Sequence, residues 1–171
     1  MKKINLLIGL ILGIGLLLSF KPYDPPAVIQ KVYFDNMKEI MLANYAKDKV
    51  SNDELRNYVT VLMQDHEALG TELTVIADEM SVDLSNVTTD QFNLPLDSLD
   101  KLRPQEFDLW FKNEAIKSHQ ETIAYFKSVI DDESLQNDKL KAWMNTKVPN
   151  LNSHLTTAQG IEIAEQIDNT P

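Results

Sequence analysis

Residues 53–80 read DELRNYVTVLMQDHEALGTELTVIADEM. Within them Leu55, Val59, Leu62, His66, Leu69, Leu73, Ile76 and Met80 follow one another in alternating steps of four and three. Residues at such steps return to one side of a 3.6-residue helix. The stretch therefore predicts a long amphipathic helix with a single seam turned to a core. One step of that seam is a histidine, which makes His66 the first candidate for chemistry. Ser51-Asn52-Asp53 in front of it supplies a turn and capping side chains.

The same periodicity extends to both sides. Residues 27–50 place Val28, Val32, Ile40, Ala43, Ala46 and Val50 at helical spacing. Residues 104–131 begin with Pro104 in a first helical turn and carry Ile116, His119, Ile123, Phe126 and Ile130 on a seam. Asp131-Asp132-Glu133-Ser134 ends that helix. A last helix is expected over 135–167, with Leu140, Met144, Leu151, His154, Ala158 and Ile161 inward and a kink at Pro149. Between the pairs, residues 81–103 lose the period. They read as a crossover strapped to the bundle by Phe92, Leu94, Leu96 and Leu99. Two helix pairs joined by a long connection predict an all-α, antiparallel, ferritin-like four-helix bundle over 27–167, with 168–171 frayed.

Composition sets the outer limits. A chain of 171 residues with 43% hydrophobic content is long enough for one packed domain and too apolar for disorder. It has no cysteine, which excludes disulfides, thiolate nucleophiles, zinc fingers and iron–sulfur clusters. A net charge of -10 argues against nucleic acid as a partner. Lys2 and Lys3 precede the uncharged run from Ile4 to Phe20, the pattern of a secretory signal or an uncleaved N-terminal anchor over residues 1–20. Residues 21–26 follow as a polar, proline-containing spacer. Either reading exports the remainder, periplasmic or anchored facing the periplasm, with any membrane contact confined to residues 1–20. A cysteine-free exported chain suits a bacterial envelope, where core packing supplies the stability.

The chain has three histidines, each on a different helix and each on a core-facing seam. Counted along the helices at 1.5 Å per residue, His66, His119 and Glu39 fall at one level. His154 falls one to two turns away from it, a gap that Pro149 or a longer loop would have to absorb. Three imidazoles and a carboxylate facing inward would suit a single Zn, Fe, Mn or Cu ion held by Glu39, His66, His119 and His154. The same residues could equally form a buried polar layer with a purely structural role. Asp65 is either an outer partner of such a site or a surface acid. A dinuclear ferritin-type centre needs Glu-x-x-His steps, and the residues three before the histidines are Met63, Ile116 and Leu151. Phe107, Trp110, Phe111 and Trp143 read as packing aromatics. There is no calcium loop and no glycine-flanked nucleophile, so no catalytic residue is assigned.

Several of these residues also form a recognisable set. Met63-Gln64-Asp65-His66, Glu39-Ile40, Phe107-Asp108 with His119-Gln120, and Pro149-x-Leu151-x-x-His154-Leu155-x-x-Ala158 resemble the motifs of a bacterial envelope family. That family is catalogued as domain of unknown function 4142 and grouped with ferritin-like folds. The resemblance spans about residues 30–161. It implies a secreted helical bundle and draws attention to Glu39, His66, His119 and His154, without implying a reaction. Ser118 stands where members often carry an acid before the third-helix histidine, and Leu42-Ala43 where many carry glycine. Three functions remain open on these grounds: an envelope bundle that binds one metal ion or small ligand, a ferritin-like metal-dependent oxidoreductase, and an acidic protein-interaction module. They differ in what His66 and His119 do, since only a metal binder should lose its ion and its stability together when they are replaced.

Overall fold

The computed structural model describes residues 23–92 and 96–163. The N-terminal signal or anchor, Leu94 and the 168–171 tail lie outside the described residues. No helix among the described residues is long and apolar enough to cross a membrane.

The described chain is all-helical: α1 (Pro25–Ala46), α2 (Asp53–Glu79), a 3-10 turn (Thr89–Gln91), α3 (Leu96–Leu99), α4 (Pro104–Ile130) and α5 (Asp138–Gly160). Three of the four long helices start on a side chain that accepts from their first free N–H groups. Asp24 accepts from Ala27, Asn52 from Leu55 and Asn137 from Leu140. The expected 21–26 spacer is therefore shorter than its composition suggests. Pro25 and Pro26 open α1, because the first turn needs neither of their missing N–H groups. At the other end α1 stops at Ala46, although Val50 beyond it is still buried. Two residues past the end of α2, Ser81 has a φ of 55°, left-handed without being glycine. Two reverse hydrogen bonds hold it, Val82 N–H to Ala77 O at 2.8 Å and Ser81 N–H to Asp78 O at 3.1 Å.

The crossover differs in detail from the expected strap. Phe92 packs tilted against Phe34 at 4.7 Å between ring centres and Leu99 is buried, but Leu96 is exposed and opens the one-turn α3. Helix α5 starts three residues later than expected and ends at Gly160 instead of 167. It continues as helix through Pro149, whose absent N–H leaves Asn145 O without its usual helix donor.

Packing sorts the long helices into two apolar halves. Leu42, Ala46, Leu55, Leu62, Phe107, Phe111 and Ala158 belong to one cluster, and Val28, Ile29, Leu73, Phe126, Val129, Leu140 and Met144 to the other. The intervening stretches of all four long helices carry the buried polar side chains Asn36, Glu39, His66, His119 and His154. Some seam positions read from the sequence (Ile40, Leu69, Ile76, Met80, Ile116 and Ile130) are only half-buried. In α2 the seam drifts past Gly70 onto Ala77, because a straight helix of 3.6 residues per turn does not keep a seven-residue repeat.

Candidate metal centre

The three histidines meet in the polar layer, each 2–4% exposed. The His119 and His154 rings lie 5.3 Å apart at 76°, and His66 lies 5.7 Å from both, stacked on His154 and edge-on to His119. The offset expected for His154 is present in the helix lengths but does not separate the rings, because the connection before α5 takes it up. His154 stands sixteen residues into α5, and His119 eleven before the end of α4. Five residues of helix rise roughly 7.5 Å. The connection 131–137 can stretch to about 23 Å, so it spans that difference without strain.

What the rings present inward is decided by what holds them from outside. Asn36 Nδ2 donates to the backbone oxygen of His66 at 2.9 Å, which turns Asn36 Oδ1 towards the ring as an acceptor. His66 Nδ1–H therefore donates to Asn36 Oδ1, also at 2.9 Å. His119 Nδ1–H donates to Ala115 O at 2.8 Å. His154 Nε2–H donates to Asp65 Oδ2 at 2.8 Å, and Asn150 Nδ2 donates to the same oxygen at 3.0 Å. Each imidazole thus has an outer acceptor for a ring N–H, the arrangement that fixes the tautomer of a metal-binding histidine.

The lone pairs left over are on His66 Nε2, His119 Nε2 and His154 Nδ1. One ring nitrogen from each residue lies within 4.8 Å of the other two. His119 Nε2 and His154 Nδ1 are 3.3 Å apart, and between neutral rings that contact opposes two lone pairs. His66 Nε2 is buried with no hydrogen-bond partner. Nitrogen ligands at 2.0–2.1 Å around a tetrahedral ion stand about 3.4 Å from each other. The donor set therefore fits a small cation: one pair already has the required spacing, and the third nitrogen has no other partner. Burial pushes His66 down to about 3, with the nearby His119 and His154 rings adding to it. Burial likewise pushes His119 down to about 4. Both are neutral at physiological pH, as a ligand must be.

Glu39 occupies the same layer but stands outside the three-nitrogen cluster. Its carboxyl accepts from Ser118 Oγ, and burial raises it to about 7 against the opposing pull of that hydrogen bond. Tyr58 approaches His154 edge-on at 6.4 Å, and its buried hydroxyl has no partner. Asp65 proves to be an outer partner of His154, not of its neighbour His66. The hydrogen bond from Asn150 and the one from His154 hold its carboxyl below the usual range.

All of these residues fall within 21–161, the span that matches the family described as domain of unknown function (DUF4142). The chain belongs to the DUF4142 family. No curated protein and no solved structure matches it. Asn36 and Tyr58 belong to this site although neither stands on the seams read from the sequence. Asn36 carried a usable signal, since Ile29, Val32, Asn36, Glu39, Ala43 and Ala46 form a three-four seam of their own. Tyr58 lies one step beside the α2 seam. Ser118 stood out only as a departure from the family's usual acid, and its contact with Glu39 joins α4 to α1.

Proposed function

We propose that the chain binds one transition-metal ion through His66, His119 and His154, with Glu39 in the same buried layer but outside that set of nitrogens. The observation that carries this reading is the common orientation of the three rings. Every N–H is taken from outside and every lone pair faces in. A layer serving only to satisfy buried polar groups would leave donors facing acceptors, because unpaired buried groups cost free energy. Here the buried His66 Nε2 has no partner at all. The nitrogen-rich set and its spacing favour Zn(II) or copper over six-coordinate, oxygen-preferring Mn(II).

The fold in this proposal is an antiparallel, ferritin-like four-helix bundle. Support comes from the shared apolar clusters, which join the C-terminal part of α1 to the N-terminal part of α2, and the N-terminal part of α4 to the C-terminal part of α5. Export of the bundle to the bacterial envelope through residues 1–20 belongs to the same reading, and the role is to hold the ion rather than to turn over a substrate.

Elemental mass spectrometry of the full chain, purified in mild detergent without an affinity His-tag, tests it. About one ion per chain is expected, lost in a His66→Ala, His119→Ala double variant. A wild-type chain that retains no ion even after incubation with zinc would overturn the proposal and leave a structural histidine layer.

A further inference from the structure

We propose that metal ions reach the three histidines between α2 and α5, by opening the hydrogen bond between Asp65 and Asn150. The inference rests on the ion-binding reading above and adds the route. The rings are almost wholly buried, so an ion can arrive only where the helices part. Two clefts run between α2 and α5. One, of about 470 Å³, ends on Tyr58 and His154 and is flanked by Val61 and Ser153. The other, of about 220 Å³, ends on His66 and is flanked by Glu72 and Lys147. Asp65 and Asn150 line both clefts, so their 3.0 Å hydrogen bond is the partition between them.

Three further observations favour this seam. Tyr58 and His66, whose buried polar atoms are without partners, line one cleft each. The backbone beside the partition is weakened at its base, because Pro149 precedes Asn150 and removes one helix hydrogen bond. Asp65 and Asn150 are also reachable from solvent, Asp65 with 40% of its side chain exposed. An arriving cation meets the Asp65 carboxylate first. That carboxylate already holds His154, so drawing it outward loosens the partition and leads directly to a ligand ring. On the opposite side of the layer, Glu39 with Ser118 and Lys38 with Glu114 at 3.4 Å tie α1 to α4.

Stopped-flow uptake of Zn²⁺ by the full chain, and its release to a chromophoric chelator, tests the route. Asn150→Ala removes the partition and leaves the Asp65–His154 bond in place; the residue is exposed, so the fold is not at risk. Uptake and release should both accelerate by roughly tenfold, the worth of one hydrogen bond to a charged group, with Kd held within about twofold. Lys38→Ala should leave both rates unchanged. The route is overturned if Asn150→Ala leaves the rates as they were, if it changes Kd through release alone, or if Lys38→Ala accelerates them equally. Absence of zinc binding in the wild type would instead remove the ion-binding reading, and the route with it.

Discussion

Lowering the pH should destabilise the metal-free bundle, and Glu39→Gln should make the fall steeper. His66 and His119 are held at about 3 and about 4 in the folded chain, against 6.5 for a free imidazole. Below pH 6.5 the unfolded chain therefore binds protons that the folded chain refuses. Each histidine then removes about 1.4 kcal/mol of stability per pH unit, down to its folded value. Glu39 works in the opposite sense. Its folded value of about 7 lies above the 4.5 of a free glutamate, so between those limits the folded chain binds the extra proton and gains stability as the pH falls. From pH 6.5 to 4.5 the two histidines cost about 5 kcal/mol and Glu39 returns about half of that. The wild type should lose roughly 3 kcal/mol, a sizeable part of a typical domain's stability. The amide that replaces the Glu39 carboxyl in the variant cannot titrate but still accepts from Ser118. The variant should therefore be about 3 kcal/mol more stable than wild type at pH 8 and lose about 5 kcal/mol over the same window, so that the two curves meet near pH 4.5. Urea unfolding series in chelator-containing buffer would measure both. A flat wild-type profile, or a variant with the shallower slope, would refute the assignment of neutral rings and a buried, proton-holding Glu39.

Two substitutions separate support of the fold from support of the site. Asp108 is 1% exposed and accepts from Ser51 N, Ser51 Oγ and Asn52 N at 2.6–2.9 Å, tying the α1–α2 turn to α4. Asp108→Ala should cost about 3 kcal/mol in urea unfolding while leaving zinc affinity unchanged, since the turn lies away from the histidine layer. Gly70→Ala should do the reverse. A Cβ there would stand 3.0 Å from Asn36 Nδ2 and displace the amide that fixes the His66 tautomer. The gain in helix propensity, up to about 1 kcal/mol, offsets the strain, so stability should hardly move. Competitive zinc titration should nevertheless show affinity reduced at least tenfold, and an unchanged Kd would mean that Asn36 does not orient the ring.

The four long helices and the inward placement of His66, His119 and His154 were legible because they depend on spacing, and spacing is a property of the sequence. Alternating steps of three and four mark which side of a helix is buried, and His66, His119 and His154 lie on such steps. Two things were not legible for related reasons. Level along the bundle was counted from helix ends, but α5 begins at Asp138 and the connection before it is long enough to let the helix slide. Packing sets that register, and His154 came into line accordingly. The chemistry of the rings was further out of reach. A seam position states that an imidazole faces inward, but not which nitrogen does. That choice belongs to the acceptor on the far side of the ring: an amide oxygen from α1, a carbonyl one turn back in α4, a carboxylate from α2. An acceptor outside sends the proton out and the lone pair in, whereas a donor outside would do the opposite and make the same three seams repel a cation. The case for a metal therefore rests as much on Asn36, Ala115 and Asp65 as on the histidines themselves, and two of those three act on a ring carried by another helix.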